Sequence, residues 1–140
     1  MTTSSEDRVL LAVVRLSMDV SVRATAELGS LSPVQLRALT ALRMLEEANL
    51  AQLSEEMGVT VSTTSRLVDR LVGADWVHRG PSPNNRREIS LTLSDAGKRL
   101  LRRYDKRRVE LMRECLHRLP AERQDAVLGA LADFAGVGDA

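Results

Sequence analysis

Apolar residues recur at three- and four-residue steps along most of the 140-residue chain, with one interruption where the period falls to two. Residues 6–28 carry Val9, Leu10, Val13, Leu16, Val20 and Leu28 near one helical face, with Arg8, Arg15, Asp19 and Arg23 elsewhere, and Gly29 ends the run. A second start lies at Ser32, a cap candidate, with Pro33 at the first helical position and Leu36, Leu39, Leu42, Met44 and Leu45 behind it. Leu50, Leu53 and Met57 mark a short helix that Gly58 stops. Thr60 then caps another helix, whose apolar side is Val61, Thr64, Val68, Leu71 and Val72 and whose opposite side is Ser62, Thr63, Arg66 and Arg70. Two short helices joined by a tight turn predict a helix-turn-helix, with small hydroxyls and guanidinium groups on the outer face of its second member.

The period changes after that helix. Trp76-Val77-His78-Arg79 and the stretch from Glu88 to Leu93 alternate apolar and polar residues, which predicts a two-strand hairpin with Ile89, Leu91 and Leu93 on one face and Glu88, Ser90 and Thr92 on the other. The intervening Gly-Pro-Ser-Pro-Asn-Asn-Arg-Arg favours a turn with an exposed tip ending in Arg86 and Arg87. Ser94 next caps a long helix bearing Leu100, Leu101, Tyr104, Leu111, Met112, Cys115, Leu116 and Leu119, which Pro120 stops. A last helix from about Ala121 carries Val127, Leu128, Leu131, Phe134 and Ala135, before the tail Gly136-Val137-Gly138. The pattern predicts a mainly α protein with a small β-hairpin wing: a winged helix-turn-helix lobe plus a helical region built from both termini. Those terminal helices carry more apolar surface than such a lobe can cover, so the expectation is an isologous homodimer.

Composition narrows the class. Aromatic residues make up only 2%, which suits aliphatic helix packing and disfavours an aromatic-lined nucleic-acid sheet. No apolar run approaches the length a bilayer requires, and residues 1–8 lack the basic start and apolar centre of a signal peptide, so a cytoplasmic protein without membrane association is expected. The net charge of +1 conceals a division: residues 61–108 carry +7, and the segments on either side carry −3 each. The excess covers the second helix of the helix-turn-helix, the hairpin and the run Arg102-Arg103-Tyr104-Asp105-Lys106-Arg107-Arg108, where it lowers the cost of approaching phosphates or simply forms a solvated helix face.

Other chemistry finds little footing. Cys115 is the only cysteine, so no intrachain disulfide is available, and His78 and His117 are isolated, so neither a metal nor a cofactor is expected. There is no Gly-rich phosphate loop, no Cys-x-x-Cys or His-x-x-Glu spacing and no nucleophile elbow, which argues against an enzyme. A lone tryptophan after a recognition helix reads as a plug between hairpin and helix, and Arg79 as either a bridge from lobe to wing or a DNA contact.

Asp69-Arg70-Leu71, Trp76-Val77-His78-Arg79, Arg86-Arg87 and Leu93-Ser94-Asp95-Ala96-Gly97 stand at spacings that resemble the core of the MarR family of bacterial transcription regulators. Leu31-Ser32-Pro33-Val34-Gln35-Leu36 also resembles the start of that family's second helix, while Asn85 stands where its wing usually has aspartate. The resemblance implies a dimeric, sequence-specific regulator of double-stranded DNA, a repressor of an inverted-repeat operator released by a small-molecule effector of unknown identity. Implied DNA contacts are Ser62, Thr63, Ser65, Arg66 and Arg70 in the major groove, Arg86 and Arg87 from the wing, and Gln35 near a phosphate. Residues 1–140 form one such domain, with 31–94 as the DNA-binding lobe and 6–28 and 95–136 as the dimerisation region. Two alternatives stay open: a winged helix that binds an acidic protein, and a thiol-based redox regulator acting through Cys115. The apolar face around Cys115 favours a core or interface thiol.

Overall fold

Helix boundaries in the computed structural model, which describes residues 3–137, are set by caps that close almost every start. Helix α1 (Ser5–Leu28) begins with a reciprocal box in which the Ser4 hydroxyl accepts the Asp7 N–H at 3.0 Å and the Asp7 carboxylate accepts the Ser4 N–H at 2.9 Å. Ser32 and Gln35 close the same box on α2 (Pro33–Leu45), and Asn49 and Gln52 close it on α3 (Leu50–Met57). Thr60 caps α4 (Val61–Gly73) by accepting the Thr63 N–H at 3.2 Å. Gly29 and Gly58 end α1 and α3 with positive φ, a conformation that costs glycine little. Gly138 of the expected tail lies outside the described residues.

Strands β1 (Val77–Pro81) and β2 (Ile89–Leu93) pair antiparallel, with Val77 opposite Leu93 and Pro81 opposite Ile89. Ala48, in the connection between α2 and α3, adds a further bridge to Leu91, exchanging bonds of 3.1 and 2.7 Å. Ser94 then starts α5 (Asp95–Leu116) by accepting the Gly97 N–H at 3.0 Å, and α6 (Ala121–Ala135) follows Pro120. No helix is long and apolar enough to cross a membrane among the described residues.

The core gathers Leu39, Leu42, Leu53, Met57, Val68, Leu71, Val77, Leu91 and Leu101 beneath the helix-turn-helix. Each fully buried leucine contributes about 1.5–3 kcal/mol relative to an exposed one, so this cluster fixes α2, α3, α4 and the hairpin as one body. Val20, Ala24, Tyr104 and Leu111 continue it where α1 crosses α5. Beyond that crossing the packing stops. Val9, Leu10, Leu11, Val13 and Val14 of α1, with Leu128, Leu131 and Phe134 of α6, are exposed in the single chain, and α6 buries no residue.

Three expectations from periodicity are corrected. Val61 was expected in the core of α4, but it is 50% exposed at the free first position of the row, and Leu67 is buried with Thr64, Val68 and Leu71 instead. Ile89 was expected inside with Leu91 and Leu93, but it sits on the last rung of the hairpin beside the wing tip and is 61% exposed. The long helix ends at Leu116 instead of running to Pro120, because the Arg118 and Leu119 N–H groups turn back to the Cys115 and Leu116 carbonyls.

Candidate nucleic-acid interface

The amphipathic pattern of α4 decides what it displays. With Thr64, Leu67, Val68 and Leu71 buried, Ser62, Thr63, Arg66 and Arg70 are left on the exposed side, and Ser65 lies half-buried at its margin. Thr60 organises the first turn. Its hydroxyl donates to Thr63 Oγ1 at 2.9 Å and lies 3.2 Å from Ser62 Oγ, so three hydroxyls are held together at the helix N-terminus. No ion pair among the described residues engages Arg66 or Arg70.

Asp69 lies between those arginines in sequence and would oppose an approaching phosphate. The Arg79 guanidinium donates to Asp69 Oδ1 at 2.7 Å, which offsets that charge and ties β1 to α4. Both partners are well exposed, so the pair contributes at most about 1 kcal/mol. Arg79 thus bridges lobe and wing.

The wing tip is shaped by backbone bonds. Asn85 Oδ1 accepts the Arg87 N–H at 3.1 Å and the Asn85 carbonyl accepts the Glu88 N–H at 3.0 Å, so a neutral amide closes the turn. Arg86 and Arg87 are exposed there, again outside every ion pair among the described residues. Gln35 is placed differently: its Oε1 accepts the Ser32 N–H at 2.9 Å, which makes it part of the α2 cap and leaves its amide NH₂ as the available donor. Helix α4 therefore brings five of the eight candidate residues onto one element, the wing supplies two, and Gln35 stands apart at the start of α2.

The neighbouring candidates divide. Trp76 is half-buried against the core, and its carbonyl accepts the Ser94 N–H at 3.0 Å, which locks the hairpin to the start of α5. His78 is exposed opposite Thr92, and His117 caps the end of α5 through its own N–H. Arg107 leaves the solvated run to pair with Glu27 of α1 and, at 3.3 Å, with Glu110, while Arg108 sits 4.9 Å from the Tyr104 ring. The hydrogen bond from Arg107 holds the Glu27 carboxyl below its ordinary range, and the same contact raises Arg107. Cys115 is half-buried in an apolar groove of about 390 Å³ with Leu16, Met112, Leu116, Leu128 and Leu131. Two residues that periodicity did not mark also bear on the wing. Ser82, at its root, donates to Glu47 Oε1 at 3.0 Å, and no local pattern announces a bond spanning 35 residues.

A helix-turn-helix of α3 and α4, braced by α2 and followed by an antiparallel hairpin, defines a winged helix-turn-helix protein. Residues 31–89, the lobe just described, match the model of the MarR family. The chain thus resembles the MarR family over this lobe and shares its fold along its length with solved structures. It is similar to YfiV of Bacillus subtilis (strain 168), an uncharacterized HTH-type transcriptional regulator, at 30% identity over 103 residues, 73% of this chain and 64% of that protein. Among solved structures, RV1404 from Mycobacterium tuberculosis has a TM-score of 0.80 at 29% identity, covering 100% of this chain and 98% of that one. A mutant MarR from E. coli complexed with operator DNA has a TM-score of 0.59 at 21% identity, covering 89% and 90%, and shares the fold. The chain spans from 41% to 64% of the length of the curated relatives it matches.

Proposed function

We propose that the chain is a non-enzymatic, sequence-specific transcription regulator that binds double-stranded DNA as a homodimer. The observation that carries this reading is the α4 ridge: four exposed donors, two of them arginines outside every ion pair among the described residues, backed by a buried apolar face. Arg66 and Arg70 have the reach and fork geometry for guanine edges, and Ser62, Thr63 and Ser65 for bases or phosphates. Arg86 and Arg87 extend the footprint to the backbone or a narrow minor groove, and the Gln35 amide supplies a phosphate donor at α2. The solved relative bound to operator DNA supports the same use of the fold.

The exposed apolar faces of α1 and α6 support dimerisation through residues 6–28 and 95–136, leaving 31–94 as the reading head. Two heads related by a two-fold axis read half-sites about 34–36 Å apart, hence an inverted repeat. The regulator acts as a repressor, and a small molecule releases it by changing the angle between heads. A mostly apolar cleft of about 470 Å³ between α1, α2 and α5, with Arg37 and Tyr104 on its wall, suits such an effector. The affinity for a random duplex, titrated against salt, tests the reading. If only the four wing arginines of a dimer meet phosphates, the log–log slope is already about −3 to −4. A flat salt dependence contradicts DNA binding and favours the acidic-protein partner.

A further inference from the structure

The wing reaches beyond the lobe. Past the last paired rung, Pro81 with Ile89, the tip from Ser82 to Glu88 is closed by its own bonds: Ser82 N–H to the Glu88 carbonyl at 2.8 Å, and the two bonds of the Asn85 turn. A cleft of about 280 Å³ separates this tip from the start of α3, lined by Glu47, Asn49, Gln52, Ser82, Asn84 and Glu88. One hydrogen bond crosses it among the described residues, from Ser82 Oγ to Glu47 Oε1 at 3.0 Å.

Both ends of that bond are held. Ser82 is only 8% exposed, and while its hydroxyl donates to Glu47 its lone pair accepts the Asn84 N–H at 3.3 Å. Glu47 lies between Glu46, whose φ of 62° is a left-handed value that non-glycine residues rarely adopt, and Ala48, which is bonded to Leu91 in both directions. The chain turns sharply at Glu46 and is fixed again at Ala48, so the Glu47 backbone is anchored on both sides. We propose that Glu47 is a positioning residue for the wing: by accepting the Ser82 hydroxyl it holds the Arg86–Arg87 tip at a set angle to α4. The proposal deepens the DNA-binding reading and rests on it for its consequence, but the latch is a property of the free protein.

The test uses the full-length protein and four forms: wild type, Glu47→Ala, Glu47→Gln and Ser82→Ala. Brief trypsin digestion of the free protein, read by mass spectrometry, gives the cleavage rate after Arg86 and Arg87. The expected result is an increase of at least about threefold in Glu47→Ala and Ser82→Ala, because cleavage follows the population of the opened tip, with Glu47→Gln near wild type since its amide oxygen still accepts the hydroxyl. Ser82→Ala keeps the readout if Glu47→Ala fails to fold. Duplex binding then reads the consequence with opposite signs. Removing a negative charge alone tightens binding, whereas a loosened wing weakens it about tenfold near 100 mM salt and flattens the salt slope. Unchanged tip cleavage in both alanine variants overturns the latch. If wild type binds duplex with a steep salt slope and Glu47→Ala binds as tightly or more tightly, the positioning role is overturned while the DNA reading stands. If wild type shows no salt-dependent binding but the cleavage rates change as expected, the DNA reading fails and the latch survives.

Discussion

Replacing Gly97 by alanine tests how the hairpin is joined to the long helix. Gly97 is the third residue of α5, where alanine ordinarily stabilises a helix by up to about 1 kcal/mol over glycine. Here an added Cβ meets the Trp76 carbonyl oxygen at 2.3 Å and its carbon at 3.2 Å. These are backbone atoms, so relief requires moving β1 or the first turn of α5 by several tenths of an ångström. The same carbonyl accepts the Ser94 N–H, and Ser94 in turn caps α5 and donates its hydroxyl to the Asp75 carbonyl at 2.6 Å. Overpacking of this kind costs about 1–3 kcal/mol, and the weakened hydrogen bond costs about 1 kcal/mol more. Less the helical gain, Gly97→Ala is expected to destabilise by about 1–3 kcal/mol.

Urea unfolding at one fixed protein concentration, followed by Trp76 fluorescence, is the assay, because the chain's single tryptophan lies at the perturbed joint. Gly73→Ala is the control. Gly73 is also helical, but nothing lies within 4 Å of its added Cβ, so that substitution is expected to be neutral or to stabilise by up to about 1 kcal/mol. A Gly97→Ala midpoint equal to or above wild type would refute the close approach of Trp76 to α5.

The remaining expectations concern the dimer and the α1–α5 junction. Val13→Asp should leave the helix content of the chain intact, since Val13 is exposed in the single chain, but should convert a dimer to a monomer in sedimentation velocity; an unchanged dimer would sink the interface on α1. Glu27 stabilises through its bond to Arg107, and its carboxyl lies below its ordinary value of 4.5. A depressed carboxyl contributes above its unfolded value and loses that contribution as the pH falls through the folded one. The stability difference between wild type and Glu27→Gln should therefore be fully present at pH 7 and shrink progressively as the pH falls below 4.5; a difference that persists undiminished at pH 3 would exclude the ion pair as its source.

Most of the helical frame was legible because its signals are local. Ser32, Thr60 and Ser94 accept the bonds that cap sequence patterns promise, and Gly29 and Gly58 take the left-handed turns that end helices. The exposed face of α4 was legible for the same reason, since a helical period fixes which residues oppose the buried row. Periodicity is silent about where a row runs out. Val61 and Ile89 fall on the right faces yet stand past the edge of what covers them. It is equally silent about partners distant in sequence: nothing near Ala48 or Glu47 points to Leu91 or Ser82, so the bridge and the wing latch appear only when the chain is folded. The Gln35 side chain shows a third limit, because the residue type that suits a phosphate contact also suits a capping box.

The central claim is that α4 reads bases while the wing grips the backbone. Its most direct test is the ratio of affinities for an operator, captured from genomic fragments, and for a random duplex, measured for wild type, Arg66→Ala and the double variant Arg86→Ala with Arg87→Ala. The account predicts that Arg66→Ala loses about 1–3 kcal/mol on the operator and little on the random duplex, whereas the double variant weakens both alike and flattens the salt slope. Operator affinity unchanged in both variants would contradict the assignment of the two surfaces.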